Sequence, residues 1–421
     1  MTSSVSEPRP RVNLRRLADE VGVHPSTVSR ALDPAKRHLV ADDVADRIIA
    51  AARALGYRPN PVAASLRTRR STLVGVLVPD ITNPVFSPII SGIAEVLGAE
   101  GYSTIVADAG SEFGARMALV DELIARRVDG LVLATVSRDD PMLEHCLAEG
   151  IHVVLVNRAD DADRAPSVVS DDVAGMRVAV EHLHRLGHRA IGHLAGPSTL
   201  STGHLRRLGF EQVMREHRLA VPAGAIVEAR SYDRDEGERA TAAMLDACPG
   251  ITAIAAANDL LALGAYKALA ARGLACPADV SVVGHNDMPL VDMVEPPLTT
   301  IRIGPRDMGR DAARLLLERM TGSTLPARRI VLAPDLVQRA STAPPRADRS
   351  AAAPAVSAVL KGGYVLRPAP PLTCRSLSAA ARKPVSSRPP RRRRAATPSL
   401  PHCWNPIAHD KLRLTRRAVS T

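Results

Sequence analysis

Cysteine is scarce. Five cysteines (Cys146, Cys248, Cys276, Cys374 and Cys403) are spread through 421 residues with no Cys-x-x-Cys spacing. That excludes a disulfide framework and points to reduced thiols in a cytoplasmic protein. Long apolar runs are missing too. No stretch approaches the ~18 apolar residues of a membrane-spanning helix, so no membrane association is expected. The first ten residues are polar, without the apolar core of a secretory signal. Glycine-rich nucleotide loops, the Gly-x-Ser-x-Gly elbow and His-Glu-x-x-His are all absent, so no cofactor and no enzymatic activity are expected. Aromatic residues make up only 2% of the chain, which makes Phe86 and Tyr232 conspicuous.

Apolar residues nevertheless reach 46%, enough for globular cores, and the length predicts two or three domains. The net charge of +11 is unevenly placed: +6 over residues 1–70, −9 over 71–343 and +14 over 344–421. A small basic head, a large acidic body and a basic tail follow one another.

In the head, Leu14, Leu17, Ala18 and Val21 recur at the i, i+3, i+4, i+7 spacing of one helix face. Asn13 suits its N-cap, and Gly22 suits a tight turn. Pro25 fits the first position of a second helix. Val28, Ala31 and Leu32 form the apolar face of that helix, with Ser26 and Arg30 opposite. Helix, glycine turn and helix make the helix-turn-helix pattern. A third helix is expected from about residue 42 to 55, with Val44, Ile48, Ala51 and Leu55 on one face and Gly56 closing it. Asn60 and Pro61 then signal a fourth helix, too short to be stable alone.

This segment resembles the lactose-repressor (LacI/GalR) family of bacterial transcription regulators. The resemblance is carried by Val12-Asn13-Leu14, by Ala18-x-x-Val21-Gly22-Val23-x-x-Ser26-Thr27-Val28-Ser29-Arg30-Ala31-Leu32, and by Gly56-Tyr57-x-Pro59-Asn60. It implies a double-stranded DNA operator as partner, with the second helix in the major groove. Pro25, Ser26 and Arg30 would then face base edges, and Arg30 suits the O6/N7 edge of guanine. Asn13, Thr27, Ser29, Arg67 and Arg69 would hold phosphates. Asn60 would cap a hinge helix from which Leu66 wedges into the minor groove. His24 stands where the family often has a serine cap. The resemblance also implies a homodimer reading the two halves of a near-palindrome.

In the body, short apolar runs alternate with amphipathic stretches. Strands are expected at 74–78, 104–107, 131–133 and 153–156, then at 190–194, 225–227, 253–256 and 280–283. Helices are expected between them, for example at 85–100, 112–126 and 260–271. Such alternation predicts an α/β fold with two lobes of parallel sheet covered on both faces, and a ligand cleft at the strands' carboxyl ends. The family resemblance continues through Val76-Leu77-Val78-Pro79-Asp80-Ile81-Thr82-Asn83-Pro84, Ala257-Asn258-Asp259 and Val282-Val283-Gly284-His285-Asn286-Asp287. It implies a periplasmic-binding-protein-like effector domain for a small ligand, a sugar or sugar derivative. Candidate ligand residues follow the expected strands: Asp80, Asn83 and Phe86, then Asn157, Arg206, Tyr232, Asn258, Asn286 and Asp287. Amides, carboxylates and a guanidinium suit paired hydroxyls, and an aromatic ring suits a sugar's apolar face. Asn286 departs from the aspartate usual in the family.

His182, His184, His188 and His193 suggest a metal cluster, but their spacing shares no helix face and no tetrahedral set is completed, so no metal is expected. The tail contains 12 of the 33 prolines and 13 arginines. It keeps no amphipathic period and is expected to be disordered. It reads either as an addition to non-specific DNA affinity or as GC-rich coding read out of frame. The expected domains are a headpiece at 11–58, a hinge helix and linker at 59–70, a two-lobed effector-binding and dimerisation domain at 71–342 and the tail at 343–421. A ligand-controlled repressor is the function expected; a sugar receptor or an α/β enzyme without a DNA role is the alternative.

Overall fold

The computed structural model describes residues 12–33, 36–57, 70–110, 112–322 and 326–346. The hinge positions Asn60, Leu66, Arg67 and Arg69 and the tail beyond residue 346 lie outside the described residues.

The head is three helices around one small core. Helix α1 (Leu14–Val21) starts on Asn13, whose side chain accepts the Arg16 N–H at 2.9 Å. It stops at Gly22, which takes the left-handed conformation at φ 70°, where a Cβ would be strained. Helix α2 (Pro25–Ala31) and helix α3 (Asp42–Ala54) follow. Leu17, Ala18, Val28, Ala31, Ala45 and Ile48 are sealed between the three. The buried line on α3 is Ala45, Ile48 and Ala52, one residue round from the expected face; Val44, Ala51 and Leu55 are half-buried beside it.

The body begins with a parallel alternation: β1 (Leu73–Val78), α4 (Phe86–Ala99), β2 (Ser103–Asp108), α5 (Phe113–Ala125), β3 (Gly130–Leu133), α6 (Pro141–Ala148), β4 (His152–Val156) and β5 (Ser167–Ser170). At Asp171 the chain leaves this lobe and builds a second: α7 (Asp172–Arg185), β6 (Ile191–Ala195), α8 (Ser201–Glu216), β7 (Ile226–Glu228), α9 (Arg234–Ala247), β8 (Ala253–Ala256), α10 (Asp259–Ala271), β9 (Ser281–Asn286) and β10 (Thr299–Arg302). It returns to the first lobe as α11 (Pro305–Met320) and β11 (Arg329–Leu332), and crosses once more to end in β12 (Asp335–Val337).

Each sheet has six strands, ordered β11-β5-β4-β3-β1-β2 and β12-β10-β9-β8-β6-β7. All pairings are parallel except β12 on β10. The register sets Val74 beside both Thr104 and Gly130 in the first sheet and Ile191 beside Ala253 in the second. β1 is Leu-Val-Gly-Val-Leu-Val and buried almost throughout, as a strand covered on both faces must be. Every expected strand is present, shifted by a few residues at most. β5, β10, β11 and β12 add to them.

Beside each sheet two helices cross one another closely through paired glycines. A Cβ on Gly92 of α4 would lie 2.2 Å from the Arg306 carbonyl oxygen, and one on Gly309 of α11 would lie 2.1 Å from that of Ile89. In the second lobe Gly237 of α9 and Gly264 of α10 meet the Leu261 and Arg234 carbonyls in the same way, at 2.4 and 2.2 Å. Among the described residues no helix is long and apolar enough to cross a membrane.

Candidate functional site

Two surfaces combine exposure with ordered polar groups: the outer face of α2 and a cleft between the lobes. On α2, Val28 and Ala31 are buried while Ser26 and Arg30 are exposed, with Pro25, Thr27 and Ser29 half-buried. The helix begins on His24. Its Nδ1 accepts the Ser26 N–H at 3.2 Å and lies 2.8 Å from Ser26 Oγ. An imidazole nitrogen thus does the capping work of the usual serine oxygen. Arg47 of α3 donates to the Val21 carbonyl at 3.1 Å and locks the end of α1. The result is a rigid scaffold that holds a polar stripe outward, with Asn13 exposed at its margin.

The cleft has a volume of about 650 Å³. It opens between the carboxyl ends of both sheets, where α/β folds place ligands. From the first lobe, Asp80 and Asn83 follow β1, Phe86 opens α4 and Asn157 follows β4. From the second, Arg206 projects from α8, while Tyr232, Asn258 and Asn286 stand at the ends of β7, β8 and β9. The structure therefore gathers these eight expected residues. Several are held by the turns they build. Asp80 accepts from Thr82 N–H at 2.8 Å, Asn83 from Val85 N–H at 3.2 Å, and Asn258 caps α10 by accepting from Leu261 N–H at 2.8 Å. Tyr232 donates to Thr202 Oγ1 at 3.1 Å, and burial raises its phenol. Its ring fits because position 196 is glycine; a Cβ there would lie 2.1 Å from the hydroxyl.

Asp287 is a correction. It does not line the cleft. Its carboxylate takes Arg302 at 2.8 Å and Arg339 at 2.7 Å. Both residues stand at positive φ in the turn that ends β9, and that turn does not aim both side chains into the ligand space. Asn286 faces it, at φ 119°, with its Oδ1 buried and unpaired.

The sequence reading missed Arg116, Thr135, Ser137, Arg158, Thr202 and Arg230, all of which line the cleft. Arg230 is tied to Glu236 and Arg206 to buried Asp172, the latter at 2.8 Å. Burial raises the Asp172 carboxyl and the Arg206 guanidinium opposes that shift. Arg116 reaches the Thr135 carbonyl at 3.0 Å and Asp140 at 3.6 Å. Arg158 is 8% exposed, and its Nε has no partner. Burial lowers its pKa to about 10, and Arg116 and Arg206 push the same way. The signal for Arg158 was its neighbour, Asn157, in the same strand-end loop. Arg116 lies on a helix distant in sequence and gave none.

The four histidines do not converge. His182 pairs with Thr342 at 2.9 Å, while His188 is held between Thr252 and Ser281. His193 bonds the Ala255 carbonyl, and His184 packs against His217 with the rings tilted by 31°. Among the described residues no group of three His, Cys, Asp or Glu side chains is placed to hold a metal ion.

Two sequence profiles match the chain: bacterial regulatory proteins, lacI family, over residues 13–60, and the periplasmic binding protein-like domain over residues 180–342. The transcriptional regulator MalR of Streptomyces coelicolor is 35% identical over 340 residues, covering 78% of this chain and 96% of that protein. The ribose operon repressor of Halalkalibacterium halodurans is 31% identical over 329 residues, with the same coverage of 78% and 96%. Among solved structures, the lac repressor dimer bound to operator and the anti-inducer ONPF matches with a TM-score of 0.70 at 29% identity, over 79% of this chain and all of that one. The CelR–cellobiose complex matches with a TM-score of 0.61 at 30% identity, over the same 79% and 100%.

Proposed function

The chain belongs to the LacI family of bacterial regulatory proteins and is a DNA-binding transcriptional regulator, and from that premise we propose that it is a homodimeric repressor released or tightened by a sugar-like effector. The observation that carries this reading is the pairing, in one chain, of an exposed polar stripe on α2 with a cleft of strand-end amides and guanidinia. Relatives named for ribose and bound to cellobiose support a sugar. A relative solved as an operator-bound dimer supports two heads on a near-palindrome.

In this reading Pro25, Ser26 and Arg30 meet base edges, while Asn13, Thr27 and Ser29 meet phosphates. Residues 11–58 are the headpiece, 59–70 the hinge and 71–342 the effector and dimerisation domain. Asn60 caps the hinge helix, Leu66 wedges the central step and Arg67 holds backbone. Asp80, Asn83, Phe86, Asn157, Arg206, Tyr232, Asn258 and Asn286 contact the effector. Closing the cleft moves one lobe against the other and alters how two hinges pair. Such a coupling is typically ~1–3 kcal/mol.

The test is DNA binding by the full chain at physiological salt. A selected near-palindrome should bind far more tightly than random duplex, and an effector found by thermal shift should change that affinity. Arg30→Ala should lose about 1–3 kcal/mol of base discrimination. Equal affinity for all duplexes, before and after the substitution, would sink the reading.

A further inference from the structure

Three of the guanidinia that line the cleft, drawn from both lobes, are paired unequally. Arg206 has Asp172 at 2.8 Å. Arg116 has Asp140 at 3.6 Å, and Asp140 is already engaged with the Ser137 and Met142 N–H groups, each at 2.9 Å. Arg158 is the third. It is more than nine-tenths buried, its Nε has no hydrogen-bond partner and no carboxylate lies within ion-pair distance of it among the described residues. A buried charge without a partner is expensive. A buried group left unsatisfied calls for an explanation, and a ligand that completes it is one.

Its surroundings repeat the pattern. Nine buried side-chain atoms lack a partner among the described residues, and four of them, Arg116 Nε, Thr135 Oγ1, Arg158 Nε and Asn286 Oδ1, belong to residues lining this one cleft. Two of these are guanidinium N–H donors, and a third is a hydroxyl able to donate. Donors of that kind, sealed from water beside an uncompensated positive charge, ask for an anion.

We propose that the effector is an acidic sugar derivative, whose carboxylate or phosphate monoester group seats on Arg158 with Arg116 and Thr135 alongside. Its hydroxylated body lies toward Asp80, Asn258 and Asn286. This rests on the sugar reading of the cleft and narrows it. The three carboxylates that line the cleft, Asp80, Asp108 and Asp233, each accept backbone N–H groups of nearby turns.

The experiment uses the full chain, Arg158→Met and Arg158→Lys. Binding is measured by calorimetry for pentoses, hexoses and disaccharides, each beside its aldonate, uronate and phosphate monoester. At least one acid should bind about ten- to a hundredfold more tightly than its neutral parent, the range of charge-assisted hydrogen bonds. Aldonates and uronates against phosphate esters identify which acidic group is used. Arg158→Met should erase the preference, and Arg158→Lys should retain part of it. Inorganic phosphate should raise the melting temperature of the parent protein beyond the effect of chloride at equal ionic strength, and should not do so for Arg158→Met. Ligand-free Arg158→Met should melt above the parent, because it removes a buried uncompensated charge; a merely structural arginine would give the reverse. If neutral sugars bind as tightly as their acids, and Arg158→Met melts lower and keeps that affinity, the acidic subsite falls and the sugar reading stands. If no sugar binds in either form, both fall.

Discussion

In the first lobe the sheet is sealed by aliphatic side chains on both faces, from Val74, Val76 and Val154 to Leu131 and Leu155. Most of its buried polar groups, Asn83, Asp140, Arg158 and Asp160, sit in loops beyond the strands. The second lobe has the same strand order and the same glycine-crossed helices, yet it buries polar groups inside its framework. His193 lies on β6, His285 on β9 and Thr300 on β10, with Asp172, Arg206 and Asp259 on the helices packed against them. The same architecture is thus stabilised in one lobe chiefly by apolar burial and in the other by apolar burial plus buried hydrogen bonds, Arg206 to Asp172 and Thr300 to Asp259. Three buried histidines with lowered pKa, His188, His193 and His285, make the second lobe the more sensitive of the two to acid.

The largest test of that contrast is a pair of truncations. Arg206→Ala leaves Asp172 buried and unpaired and should cost about 3–5 kcal/mol in urea unfolding. Arg116→Ala in the first lobe should cost clearly less, because Asp140 keeps two backbone N–H donors. Equal losses would break the comparison.

Next comes acid. His188 is held neutral by burial, with its pKa lowered from 6.5 to about 4. Between those values the unfolded chain binds the proton and the folded one does not, so stability falls as pH drops through that window. The stability advantage of the parent over His188→Gln should shrink by up to about 3 kcal/mol between pH 6.5 and pH 4. A difference independent of pH would show that His188 does not titrate this way. The smallest effect sharpens what the lobes share. Gly92→Ala and Gly264→Ala each drive a methyl to 2.2 Å from a carbonyl oxygen. Each should cost about 1–3 kcal/mol, and the two costs should match.

Legibility in the sequence followed burial. β1, β3, β4 and β8 were visible because strands covered on both faces must be apolar throughout. β5 and β10 were not, because Ser167, Ser170, Thr299 and Thr300 are polar yet buried, and composition alone reads such residues as exposed. β11 and β12 return to sheets begun long before, and local pattern carries no record of that. The cleft divided in the same way. Polar residues just after visible strands were found. Arg158 gave no signal beyond its neighbour Asn157, because its burial is a property of the fold and not of the local sequence. Asp287 was chosen beside Asn286 because a sequence does not say on which residue a strand-end turn reverses.

The chain's return to the first lobe has a consequence for biosynthesis. β11 pairs with β5 by setting Arg329 beside Ser167, and α11 lays Met308, Ala312, Leu315 and Leu316 over the sheet face that includes Val132, Val154 and Val168. A ribosome emits the first lobe's strands early but its covering helix only after almost the whole second lobe. Until residue 320 has emerged, α4 alone covers that face and the part that α11 will cover is bare hydrocarbon, the kind of surface that aggregates. A nascent chain stalled between the two lobes, or a fragment cut at residue 171, should therefore draw on chaperones. A fragment that begins at residue 172 keeps every strand of its own sheet, β12-β10-β9-β8-β6-β7.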